Sequence, residues 1–135
     1  MSNALYATGR NAFANAGINW PGDIIRAILI DTAQYTVDLA LHDFLDDIPA
    51  GARVATAQLA SKSAAAGVCD AADTIFTAVS GASIEAVVLY KDTGVESTSQ
   101  LIAYIDTAAG GLPVTPDGTD ITIAWDTGAN KIFKL

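Results

Sequence analysis

IEAVVLYKDTGVESTSQLIAYIDT, residues 84–107, holds two apolar runs, 86–90 and 101–105, each closed by Asp-Thr and then glycine or alanine. The polar segment between them, 91–100, continues neither run. The pattern predicts an antiparallel hairpin with a loop of medium length. The same phrase returns in IIRAILIDTA, residues 24–33, and in ITIAWDTG, residues 121–128. Apolar runs therefore end in Asp-Thr-small at Asp31, Asp92, Asp106 and Asp126. Strand-end chemistry accounts for this: the aspartate accepts from nearby backbone amides and the small residue lets the chain turn. A metal or catalytic role would require those carboxylates to meet in space, which their spacing does not dictate.

The chain has 135 residues, 51% of them hydrophobic and 16% charged. That is one domain with enough apolar content for a core, and it excludes wholesale disorder. No apolar run reaches the roughly 20 residues of a membrane helix. The start, MSNALYATGRNAFANAG, has neither a basic end nor a continuous apolar stretch, so it is not read as a signal peptide. Synthesis and retention in a cytoplasm are expected. The single cysteine, Cys69, excludes an intrachain disulfide, and its small and apolar neighbours suggest a packed thiol. A net charge of −8 argues against binding nucleic-acid phosphates.

In residues 3–16, Asn3 is placed to cap a short helix and Gly17 to end it, with Leu5, Gly9, Ala12 and Phe13 along one stripe. Gly9 weakens that helix by about 1 kcal/mol relative to alanine. The segment either packs on its own domain or reaches toward a neighbour as an arm. A turn-rich bridge holding Trp20 and Pro21 leads to a first strand over 24–31, apolar on both faces except at Arg26. Residues 42–48 predict one or two helical turns before Pro49. Asp43, Asp46 and Asp47 there read as a solvated face, because EF-hand spacing is missing. Residues 53–59 and 63–70 read as paired, half-exposed strands, and 74–79 as another. Pro113 and Pro116 mark an extended connection. Ile121, Ile123 and Trp125 fall on one face of a last alternating strand, and 131–135 end the chain in a strand.

About seven or eight strands at even spacing, with one or two short helices in the N-terminal half, predict a mainly β fold. The expected form is an antiparallel β-sandwich, jelly-roll-like. Residues 1–17 form a helix or arm and residues 18–135 the sandwich body. Nucleotide-binding, zinc and serine-nucleophile motifs are missing, and glutamate occurs only at Glu85 and Glu96. His42, the sole histidine, has no nucleophile motif around it. No enzyme, catalytic residue, cofactor or metal site is expected.

The segments NALYATGRNAFANAGINW, DFLDDIPAGARVAT, GVCDAADTIFTAVSGASIEAVVLYKDTG and STSQLIAYIDTAAGGLPVTPDGTDITIAWDTGANKIFKL resemble small structural proteins of tailed bacteriophages. The likeness spans nearly the whole chain. It implies a virion protein, best placed as a capsid decoration or cement protein that bridges capsomers on the phage head. The partners implied are the major capsid protein and copies of the chain itself, as a dimer or trimer, without membrane or nucleic acid. The residues assigned to such contacts are Leu5, Tyr6, Phe13 and Trp20, since aromatic anchors concentrate interface energy. A head–tail or tail component, and a host-surface carbohydrate-binding module, stand as alternatives.

Overall fold

The structure, a computed structural model, describes residues 4–106, 112–125, 128 and 131–134. In chain order it contains β1 (Ala4–Leu5), α1 (Ala7–Ala14), β2 (Ile25–Ile30), β3 (Arg53–Gln58), β4 (Ser63–Ala65), β5 (Val68–Asp70) and β6 (Thr74–Phe76). Then follow β7 (Ala86–Lys91), β8 (Leu101–Ile105), β9 (Ile121–Ile123) and β10 (Phe133–Lys134). Short 3-10 turns occupy Leu45–Asp47, Ala50–Ala52 and Glu96–Thr98.

The hairpin expected from residues 84–107 is present as β7 and β8, and it sits in the middle of the molecule. The central sheet runs β1-β8-β7-β2-β3, antiparallel at every pairing. Strands β2 and β7 alternate strictly between two cores. Ile25, Ala27, Leu29, Val87 and Leu89 enter one, and Ile28, Ile30, Ala86, Val88 and Tyr90 the other. Apolar residues at consecutive positions mean that both faces must be covered. Burying each such aliphatic side chain contributes about 1.5–3 kcal/mol. A register shift at Leu89/Tyr90 lets Ile102 and Ala103 enter the first core together.

The first face is covered by α1, by the bridge residues Ile18 and Trp20, and by two small sheets, β10-β5-β4 and β6-β9. Ile121, Ile123 and Trp125 are all buried there, as their alternation predicts. The second face is covered by irregular chain between β2 and β3, which supplies Tyr35, Leu45, Ile48 and Ala52. Asp31 N–H to Ala52 O (3.0 Å), Leu45 N–H to Ser99 O (2.9 Å) and the Arg53 guanidinium on the Leu45 and Ile48 carbonyls tie it down.

This corrects the expected architecture. The fold is mixed α/β with three small, open sheets, and neither a β-sandwich nor a jelly roll. The outer strands β4, β5, β6, β9 and β10 are two or three residues long. They cannot ladder into a second full sheet, so each small group pairs locally, and among the described residues the opposite face has no second sheet. The pairing expected between 53–59 and 63–70 is also replaced. β3 pairs with β2, while 63–70 folds on itself as the β4–β5 hairpin. The turn of that hairpin is Ala66-Gly67, at φ +52° and +79°, the signs a type I′ turn demands.

The strand-end aspartates behave as turn formers where their bonds are seen. Asp31 Oδ1 accepts the Ala33 N–H at 3.0 Å, and Asp92 Oδ1 accepts the Gly94 N–H at 2.8 Å. These two lie at opposite ends of β2, because Ile30 pairs with Ala86 and Ile25 with Lys91. Asp126 and Asn3 lie outside the described residues.

Candidate functional site

An open groove of about 510 Å³ lies where the end of α1 and the bridge meet the β10-β5-β4 sheet. Phe13, Ile18, Trp20 and Pro21 form one wall, and Ala64 and Cys69 the other. Gly17 N–H to Ala12 O (2.7 Å) and Ala16 at φ +60° end the helix and swing the chain toward Trp20. The Trp20 indole donates to Asp70 O at 3.0 Å, which locks the bridge to β5. Phe133 sits between the two aromatic residues. Its ring lies 5.9 Å from Phe13 and 5.1 Å, edge-on, from Trp20.

Of the four residues assigned to interactions, Phe13 and Trp20 come together in this groove. Phe13 is half-buried, while Trp20 is 2% exposed and offers little more than its rim. Leu5 belongs to the same core beneath them. Tyr6 is on the other side of the central sheet, fully buried. Sequence reasoning missed Ala64 as a groove residue and Phe133 as the ring packed against Phe13 and Trp20. Phe133 carried a signal, the apolar ending of the chain around Ile132 and Phe133, but nothing in the sequence pairs it with β5.

The groove's lining is mainly apolar. Among the described residues it holds one titratable group, Cys69, and burial pushes that thiol up to about 11, so it is neutral near pH 7. Beside the groove runs an open strand edge. The two-residue turn makes Ala65 and Val68 the hydrogen-bonded closing pair of the β4–β5 hairpin, so Ala64 and Cys69 form the non-bonded pair. The N–H and C=O of Ala64 therefore point away from β5, to the side where the sheet ends. All three residues of β4 are exposed, and none is charged.

A second polar assembly lies on the opposite face. The Tyr6 hydroxyl bonds that of Tyr35 at 2.8 Å, and Tyr35 Oη lies 2.8 Å from His42 Nδ1. The Asp38 N–H also donates to Nδ1 (3.2 Å), which fixes this nitrogen as an acceptor. Tyr35 then donates to His42, and Tyr6 to Tyr35. Burial pushes Tyr35 up to about 12 and drives Tyr6 further still, so both phenols stay protonated. Next to this chain, one oxygen each of Asp43, Asp46 and Asp47 lies within 4.8 Å of the others, the one such group among the described residues. Burial and the Asp47 carboxylate raise Asp43, while the Asp43 N–H at 2.8 Å holds Asp47 low. The pair is engaged in its own hydrogen bonding. No helix among the described residues is long and apolar enough to cross a membrane.

No known protein-family model matches this chain, and no curated protein matches it.

Proposed function

We propose that this chain is a structural protein of a tailed-bacteriophage virion, a capsid decoration protein that binds the major capsid protein and bridges capsomers on the head. The resemblance across both ends of the chain supports the virion assignment. The observation that carries the binding role is the aromatic groove set against the open β4 edge. Together they offer apolar area and free backbone groups, the two things a polypeptide partner uses. A body buried on both faces of its central sheet supplies the stiffness such a bridge requires. Self-contacts as a dimer or trimer, assembly in a host cytoplasm and residence on the phage head belong to the same proposal.

A head–tail or tail position would use the same surface. Carbohydrate recognition is less well served, because stacking on a sugar needs an open aromatic face and Trp20 is 2% exposed. Co-sedimentation with purified shells lacking this protein, followed by electron microscopy, tests the proposal. Regular added density on the shell is the expected result. Density on tails or connectors would reassign the chain within the virion, and binding to neither would overturn the virion role.

A further inference from the structure

We infer that the β4 edge and the adjoining groove take an extended, acidic peptide segment of a partner protein, added as a fourth strand beside Ala64 with one large apolar side chain in the groove. Three observations lead there. First, Ala64 presents its backbone N–H and C=O outward, and no group among the described residues bonds them. An unpaired edge without a lysine, proline or bulge to blunt it is a template for a strand. Ala64 is also a groove residue, so backbone pairing and side-chain insertion fall at one register position.

Second, charge selects the ligand. The molecule carries −8 overall. Arg26, Arg53 and Lys91 are paired with Asp92, Glu96 and Asp23, and Lys62 donates to Asp23 O. Arg10, Lys131 and Lys134 have no ion pair among the described residues. Arg10 precedes Phe13 by one helical turn, and Lys131 and Lys134 flank Phe133. Arg10 and Lys131 are thus the unspent cations that neighbour, along the chain, the Phe13 and Phe133 rings at the groove, while Lys134 alternates to the other face of β10. Acidic residues flanking the apolar anchor complement Arg10 and Lys131.

Third, size decides between a peptide and a second copy of the chain. A three-residue edge is about 10 Å long. Pairing two such edges falls well short of the roughly 1,200 Å² that a stable protein dimer buries. A short segment with one anchor matches both the edge and a groove in the volume range of small-ligand sites.

This inference rests on the binding role proposed above, but its test uses no shell, so either can fail without the other. Short random displayed peptides are selected on the full-length chain, and the enriched sequences are synthesised and titrated into the isotope-labelled protein. The expected winners hold one large apolar residue flanked by Asp or Glu. They should shift the Ala64 amide and the Trp20 indole N–H, and lose about tenfold in affinity when their acids become lysine. Ala64→Pro removes the outward donor but no bond to β5, and should weaken binding by about tenfold. Ala64→Glu keeps the backbone and places a carboxylate in the groove, so it should weaken binding at least as much. No enrichment would overturn the inference, as would winners indifferent to both variants. An Ala64 amide protected from exchange without peptide, in a protein that sediments as a dimer, would also overturn it in favour of a second copy.

Discussion

A Cβ added at position 9 would lie 2.7 Å from Leu101 O, 3.0 Å from Ile102 O and 3.1 Å from Ile102 Cα. All three atoms are backbone, so none can swing aside. Gly9 is the one buried residue of α1, and it lets the helix rest directly on β8 where the Ile102–Ala103 irregularity lies. Helix propensity alone predicts that Gly9→Ala stabilises by about 1 kcal/mol. Steric crowding against a fixed backbone costs about 1–3 kcal/mol and should win. Gly9→Ala is therefore expected to lower stability by about 1 kcal/mol in urea unfolding. A rise in stability would mean that α1 is not seated on β8 as described. Gly9, Ala12 and Phe13 of the expected helical stripe lie on α1, while Leu5 lies in β1, ahead of the helix. The need for glycine at position 9 was not legible in the sequence, because it depends on a strand some 90 residues away meeting the helix at backbone distance.

Among elements, the best-read parts were those whose residues alternate between two cores. β2, β7 and β8 announce themselves because apolar residues occupy successive positions, and Ile121–Trp125 because they occupy every second one. The loop between β7 and β8 was seen only as polar. Its anchoring depends on Arg26, the one charged residue of β2, whose Nε lies 2.5 Å from Asp92 Oδ2. That contact first, and the Gly94 N–H second, hold Asp92 below the ordinary carboxylate range. A carboxyl held low in the folded state stabilises the fold above its unfolded value of about 3.9, and that contribution is lost as pH falls through the folded value. Asp92→Asn keeps an acceptor for Gly94 but loses the charge. At pH 7 it should cost about 0.5–1 kcal/mol, given a partly exposed pair. The gap from wild type should close as pH falls through the lowered folded-state value of Asp92. A gap constant across that range, followed by chemical unfolding at several pH values, would assign the loss to something other than charge.

At the scale of the molecule, what the sequence could not disclose is how strands divide among sheets. Even spacing of apolar runs gives their number, but partition depends on lengths and partners fixed only in three dimensions. The β4–β5 hairpin turns on Ala66-Gly67, which lacks the asparagine or aspartate that usually advertises such a turn. The cover over the second face of the central sheet is harder still, since residues between β2 and β3 have no repeating pattern. Besides the backbone and Arg53 bonds already described, the Tyr6–Tyr35–His42 chain joins that cover to the sheet. Tyr6 enters from β1 and the helix start, and Tyr35 and His42 belong to the cover. Tyr35→Phe would strand the Tyr6 hydroxyl, on a residue 0% exposed, without its partner. An unsatisfied buried hydroxyl costs about 1–3 kcal/mol, whereas removing both partners is much cheaper. Tyr35→Phe should therefore destabilise by about 1–3 kcal/mol, and adding Tyr6→Phe should recover part of that loss. Urea unfolding of both single variants and the double variant measures the coupling. Additive losses would mean that the two hydroxyls act independently and that their bond does not help to hold the cover on the sheet.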